Sequence, residues 1–203
     1  MASGRIILLN GTSSSGKTTI ARALQERLPD PYMHLSIDGF ITMYPERFWN
    51  PTRREDAAAM AALLPAVVSG FHGAVGSLAR AGNRVIVDHV LQENSWLEEC
   101  VDRWAGLDVL FVGIRCPVEV AERREAERGD REVGTARYQY ERVHAHGVYD
   151  LELDTSVLSV EECVARIKGV LEDGTGMPAF ERLQGAAPAP GLDPLQTPNA
   201  GER

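Results

Sequence analysis

Lysine is nearly missing from this chain: 19 arginines carry its positive charge beside only Lys17 and Lys168. Where so rare a residue does occur, a compact ammonium is wanted rather than a planar guanidinium. Cysteine is scarce too. Cys100, Cys116 and Cys163 are widely spaced, which argues against a disulfide framework and against metal-ligand spacing. They read as buried thiols in a reducing compartment, the cytoplasm. "IILLNGTSSSGK" breaks too soon for a signal peptide or a membrane span, so no membrane partner is expected. Positive charge is in deficit, with 21 basic against 29 acidic residues and a net charge of −8. That opposes a nucleic-acid partner, whose phosphates need a basic surface. It leaves room for a small anionic substrate in a locally basic cleft. No internal repeat and no guanine-specificity motif is visible.

The rest of the composition is that of a globular protein, with 44% hydrophobic and 25% charged residues. The length of 203 residues suits one domain with a tail. Apolar runs at 5–10, 33–38, 84–89, 108–116 and 149–154 read as strands, and helical periodicity marks 17–28, 53–81, 94–104, 118–128, 135–147 and 159–172. Asn94 or Ser95 suits the N-cap of the third helix. Ser159 and Glu162 have the spacing of a capping box. Strands alternating with helices predict an α/β fold with a five-stranded parallel sheet. From residue 174 the chain turns rich in Gly, Pro and Ala. Residues 1–173 are therefore expected as the domain and 174–203 as a flexible tail.

Chemistry concentrates first in "NGTSSSGKTT". Gly11, Gly16, Lys17 and Thr18 fit G-x-x-x-x-G-K-[ST], directly after an apolar strand and directly before a helix. Small residues there let successive N–H groups curl around phosphate oxygens at the positive end of the helix. Gly11, Thr12, Ser13, Ser14, Ser15, Gly16, Lys17, Thr18 and Thr19 are the expected nucleotide-binding residues. Lys17 would reach the β- and γ-phosphates and the Thr18 hydroxyl would hold Mg²⁺.

Three further positions matter. Asp38 ends the second apolar run, where ligands gather in open α/β sheets. On residue type alone it serves equally as a base for an acceptor hydroxyl or as a helix N-cap. Asp88 follows "RVIV" and is read as a carboxylate for the same metal, with His89 beside it structural. Arg124 and Arg128 share a helical face, and Arg131 follows near Gly129 and Gly134. A phosphate-covering lid and a solvated mixed-charge helix both fit that pattern.

Together these stretches resemble the chloramphenicol phosphotransferase family. The resemblance is carried by "IILLNGTSSSGKT", "LSID", "ARAGNRVIVDHV", "VGIRCPVEVAERREAERGDREVGTA", "VHAHGVYDLELDTS" and "ECVARI". It implies a P-loop kinase fold with a lid segment, ATP and Mg²⁺ as cofactors, and transfer of the γ-phosphate to a hydroxyl of a small molecule. It implies Asp38 as the base and Arg128 and Arg131 over the phosphates, beside Lys17. Residues 39–75 match the family least, and there Phe48 and Trp49 are candidates to stack on an acceptor and Arg53 and Arg54 to attract one. A metabolic small-molecule kinase and a nucleotide-dependent regulatory switch share the phosphate motif. Self-association is left open.

Overall fold

The computed structural model describes residues 4–128, 134–173 and 179–185; the side chain of Arg128 is outside that description. Five strands, β1 (Arg5–Asn10), β2 (Met33–Ser36), β3 (Val85–His89), β4 (Asp108–Arg115) and β5 (Leu151–Asp154), form one sheet in the order β2-β3-β1-β4-β5. Every pairing is parallel, as expected, with Leu8 opposite both Val87 and Phe111.

The apolar runs are uninterrupted because the central strands are covered on both faces. Alternation then sorts each strand between two cores. Ile6, Leu8, Val85, Val87, Val109 and Phe111 point one way. They meet α4 (Arg54–Arg80), α5 (Asn94–Arg103) and α9 (Ala179–Gly185). Ile7, Leu9, Ile86, Leu110, Val112 and Ile114 point the other way. They meet α1 (Lys17–Arg27) and α8 (Val160–Asp173). The result is a three-layer sandwich with β1 in the middle.

Several boundaries differ from expectation. β2 stops at Ser36, and Ile37 and Asp38 already belong to the short α2 (Ile37–Ile41). Ser36 ends the strand because its Oγ accepts the Gly39 N–H and caps the helix. A further short helix, α3 (Glu46–Trp49), leads into α4, which runs through Pro65 and through Gly70, Gly73 and Gly76 without a break. Gly76 has a packing reason: a Cβ there would sit 3.0 Å from the Trp104 ring. By length and composition α4 is apolar enough to cross a membrane, but Val67, Val68, Phe71, Val75 and Ala79 are buried in the core. α5 is capped at Glu93, not at Asn94 or Ser95.

α6 (Val118–Arg128) follows Pro117 as expected. α7 (Thr135–Tyr140) ends well before residue 147. The Val143 carbonyl is taken by Asn10 Nδ2 at 2.8 Å, and turns follow as far as Gly147, at φ 63°. The Ser159–Glu162 capping box forms in both directions, at 2.8 and 3.2 Å. The expected tail needs correction. Within 174–203, α9 packs Phe180 flat on Trp104 with ring centroids 5.9 Å apart and edge-on to Phe111 at 5.5 Å. The Ala179 N–H is held by Asp150 at 2.9 Å. All three cysteines are free and buried.

Candidate active site

The loop between β1 and α1 is set by close approach. A Cβ at Gly11 would stand 2.5 Å from the Ile114 carbonyl oxygen of β4, so only glycine fits. Ser14 takes a left-handed φ of 58° and Gly16 a φ of 97°. These turns aim the loop back at the N-terminus of α1, whose first residue is Lys17. Lys17 is only 7% exposed, and its Nζ donates to the Thr12 carbonyl at 2.7 Å. The same Nζ stands 3.9 Å from Asp88 Oδ1, while Thr18 Oγ1 donates to Asp88 Oδ2 at 2.5 Å. Thr12 Oγ1, Ser14 Oγ and Ser15 Oγ are buried without a partner among the described residues. A loop of buried, unsatisfied hydroxyls around an ammonium is suited to an anion with several oxygens.

Asp88 is the next-to-last residue of β3, opposite both Leu9 and Ser36. His34 Nε2 lies 3.9 Å from it, and burial pushes the imidazole of His34 below its ordinary pKa despite that carboxylate. Thr18 and Asp88 fit Mg²⁺: two hard oxygen donors leave positions for water and phosphate oxygens. Among the described residues no group of three or more His, Cys, Asp or Glu forms a separate metal site.

A cleft of ≈ 520 Å³ opens beside these groups, lined by Ser14, Lys17, Thr18, Asp38, Asp88 and Arg124 among others. Asp38 is exposed and sits in the first turn of α2. Because Ser36 is the cap, the alternative of Asp38 as N-cap falls away. Ser13, Ser14, Gly16, Lys17, Thr18, Thr19, Asp88 and Asp38 thus line one cleft, whereas Gly11, Thr12 and Ser15 lie behind its surface. Arg124 enters it differently from expectation: its guanidinium donates to the Thr155 carbonyl at 2.8 Å and to Thr155 Oγ1 at 3.1 Å. Arg128 closes α6 with its side chain outside the description, and Arg131 lies outside the described residues. Farther out, Phe48 is half-buried under the Arg47 guanidinium, 4.7 Å from the ring centroid, and Arg53 is paired with Glu55.

His89 is packed away behind the site. Val90 N–H donates to its Nδ1 at 2.8 Å, so its proton is on Nε2 and points at His72 Nε2, also at 2.8 Å. His72 in turn has Nδ1 2.8 Å from Glu99. Burial holds both imidazoles below their ordinary pKa, so the pair is neutral at pH 7.

Sequence reasoning missed two hubs. Asn10, the last residue of β1, accepts from Leu91 N at 2.9 Å and donates to Val143 O and to the Tyr149 hydroxyl, each at 2.8 Å. Gln139 of α7 accepts from Ser13 N at 2.7 Å. Partners 81 to 139 residues apart leave no periodic signal. Asn10 closes an apolar run, which is a hint, but Gln139 stands among polar neighbours and offered none.

Comparison with known proteins agrees with this geometry. A family model described as chloramphenicol phosphotransferase-like protein matches residues 4–172. A Mycobacterium tuberculosis protein provisionally named an O-phosphotransferase is 31% identical over 201 residues, covering 91% of this chain and 89% of its own. Among solved structures, M. tuberculosis APS kinase with AMPPNP and APS superposes with a TM-score of 0.58 at 18% identity, covering 85% of this chain and 99% of its own. Shikimate kinase from Acinetobacter baumannii with shikimate gives 0.60 at 16% identity, covering 84% and 94%. These two likenesses establish the P-loop kinase fold. With the phosphate-loop geometry and the match over residues 4–172 together, the chain belongs to the chloramphenicol phosphotransferase-like family and is a phosphotransferase.

Proposed function

We propose that this protein moves the γ-phosphate of ATP, with Mg²⁺, to a hydroxyl of a small molecule. The observation that carries the reading is the convergence of Lys17, Thr18, Asp88 and Asp38 on one cleft. Residues Gly11 to Thr19 would hold the phosphates. Lys17 leaves the Thr12 carbonyl to meet the charge that develops on the transferring group. Thr18 and Asp88 would hold Mg²⁺, which supplies charge neutralisation on the phosphate oxygens when bound. Asp38 accepts the acceptor's hydroxyl proton at its carboxylate. Arg128 and Arg131, as the family resemblance implies, would add positive charge at the phosphates. Most of the acceleration comes from orientation and fixed electrostatics, because phosphoryl transfer asks little covalent chemistry of the protein.

The acceptor side supports a molecule with an apolar or aromatic body: Met43, Tyr44, Trp49 and Leu63 are exposed on α2 to α4 and the turn between α2 and α3. A chloramphenicol-like alcohol, and with it antibiotic resistance, is the first acceptor to test. The protein is incubated with ATP, Mg²⁺ and chloramphenicol, then with a panel of sugars, nucleosides and cofactor precursors, and products are read by mass. A gain of one phosphate on chloramphenicol is the expected result. Transfer only to a metabolite would replace the antibiotic by a metabolic acceptor. Tight nucleotide binding with slow hydrolysis and no phosphorylated acceptor would make the protein a regulatory switch instead.

A further inference from the structure

The phosphate loop carries an unusual burden for its composition. Ser14 holds a left-handed φ of 58° without being glycine. Such a residue persists only where its surroundings over-determine it. Within the loop, Ser15 N–H reaches Thr12 O at a long 3.3 Å. Lys17 also holds Thr12 O, but that bond is the one phosphate binding would break.

Two firm restraints come from outside, one on each side of Ser14: Thr155 Oγ1 donates to the Ser15 carbonyl at 2.8 Å, and Gln139 holds Ser13. Ser13 N–H, next to the strained residue, donates at 2.7 Å to Gln139 Oε1, and the bond is buried. Gln139 is itself fixed. α7 is fastened to α6 by Glu125, a carboxylate 1% exposed, which accepts from Gly134 N at 2.8 Å and Ala136 N at 3.2 Å. Glu122 and Arg137 add a two-pronged pair at 2.6 and 2.7 Å. Two residues past the end of α7, Arg142 lies 3.7 Å from Glu93, in the loop between β3 and α5. The segment that carries Gln139 is therefore a strut between α6, the phosphate loop and the loop that follows β3.

We propose that Gln139 is a positioning residue for phosphoryl transfer: its side-chain carbonyl keeps the phosphate loop cupped around the strained Ser14. The proposal rests on the reading of residues 11–19 as a phosphate cradle. Gln139 touches no reacting atom. It acts by sparing the nucleotide the cost of ordering the loop, so its loss appears in nucleotide affinity more than in kcat.

The test compares Gln139→Met, which keeps length and loses the acceptor, with Gln139→Glu, which keeps the acceptor. ATP affinity is read by calorimetry, KM and kcat by product formation, and Ser13 amide protection by hydrogen exchange without nucleotide. For Gln139→Met, Kd and KM for ATP rise roughly tenfold and Ser13 exchanges roughly tenfold faster, the scale of one orphaned buried donor. Gln139→Glu retains the Ser13 protection. If Gln139→Met does not fold, Gln139→Asn, too short to reach Ser13, gives the same readouts. A merely structural Gln139 would lower the melting temperature and leave ATP affinity and Ser13 exchange at wild-type values, which overturns the proposal. Lys17→Ala is the control: if it binds ATP like wild type, the cradle reading fails. If it loses ATP while Gln139→Met binds normally, only the role of Gln139 fails.

Discussion

Lys17 and Asp38 line the same cleft, yet the chain around them is built in opposite ways. Lys17 is 7% exposed, and the loop before it closes against β4 and is tied to α7 and to Thr155, just past β5, by contacts from distant parts of the sequence. After Asp38 the chain turns outward: Met43 is 76% and Trp49 40% exposed, and the indole N–H of Trp49 is held only by the nearby Tyr44 carbonyl, at 3.1 Å. A phosphate is the same in every nucleotide and rewards a rigid cradle. An acceptor differs from one kinase to the next, and an open wall of short helices can change without disturbing the sheet.

The contrast can be broken most sharply by chemistry. Asp38→Asn is expected to cost about 10²- to 10⁴-fold in kcat, the range of a lost general base, while the Kd for ATP stays at its wild-type value. Full turnover by Asp38→Asn would remove the base from the open wall. Lys17→Ala is expected to cost about 10²- to 10³-fold in turnover, as for a lost charge-stabilising donor, and to weaken ATP binding, read by calorimetry.

Stability gives the next scale. The openness is confined to the outer end of the wall, since the inner half of α4 shares a core with Phe180. Phe180→Ala is expected to cost about 3–5 kcal/mol in urea denaturation. A loss under about 1 kcal/mol would mean that α9 is an ornament rather than part of that core.

Acid should undo the braced side. Burial, more than the nearby Arg115, pulls the pKa of His144 down to about 3 and that of His146 to about 4, from 6.5. Between those values the unfolded chain holds more protons than the folded one. Their contribution is therefore complete above about pH 6.5 and is lost as pH falls toward 4 and then 3. Each imidazole costs at most about 1.4 kcal/mol per pH unit in that window. Melting curves should be level from pH 8 to about pH 6.5 and fall steadily from there to pH 4, and a flat profile throughout would place both rings in contact with water.

The smallest effect belongs to the open wall. Trp49→Ala should change stability by no more than about 0.5 kcal/mol. It should raise KM for an aromatic acceptor by roughly two- to tenfold, the worth of one stacking contact. An unchanged KM would move the acceptor elsewhere on α2 to α4.

Much of the fold was legible because it repeats locally. Strands buried on both faces read as unbroken apolar runs, the phosphate loop reads as fixed spacing, and Ser159 and Glu162 announce a helix start. What escaped depends on distance along the chain. Ser36 and Asp38 are both good caps, and only the sheet register with β3 decides that Ser36 takes the role. α9 is too short to show a period, and a core that needed Phe180 could not be read from its Gly- and Pro-rich neighbours. α7 looked longer because nothing local revealed that Asn10 would claim the Val143 carbonyl.

The stacking of Phe180 on Trp104 has a consequence for the order of assembly. All five strands and the phosphate loop are encoded before residue 155, and α1 can cover its face of the sheet early. The opposite face keeps the flanks of Trp104 and Phe111 that Phe180 covers open until the segment carrying Phe180 has left the ribosome. During synthesis the face that carries α4 and α5 is therefore the last to be sealed, and an interrupted chain would show a chaperone one open flank of each ring there.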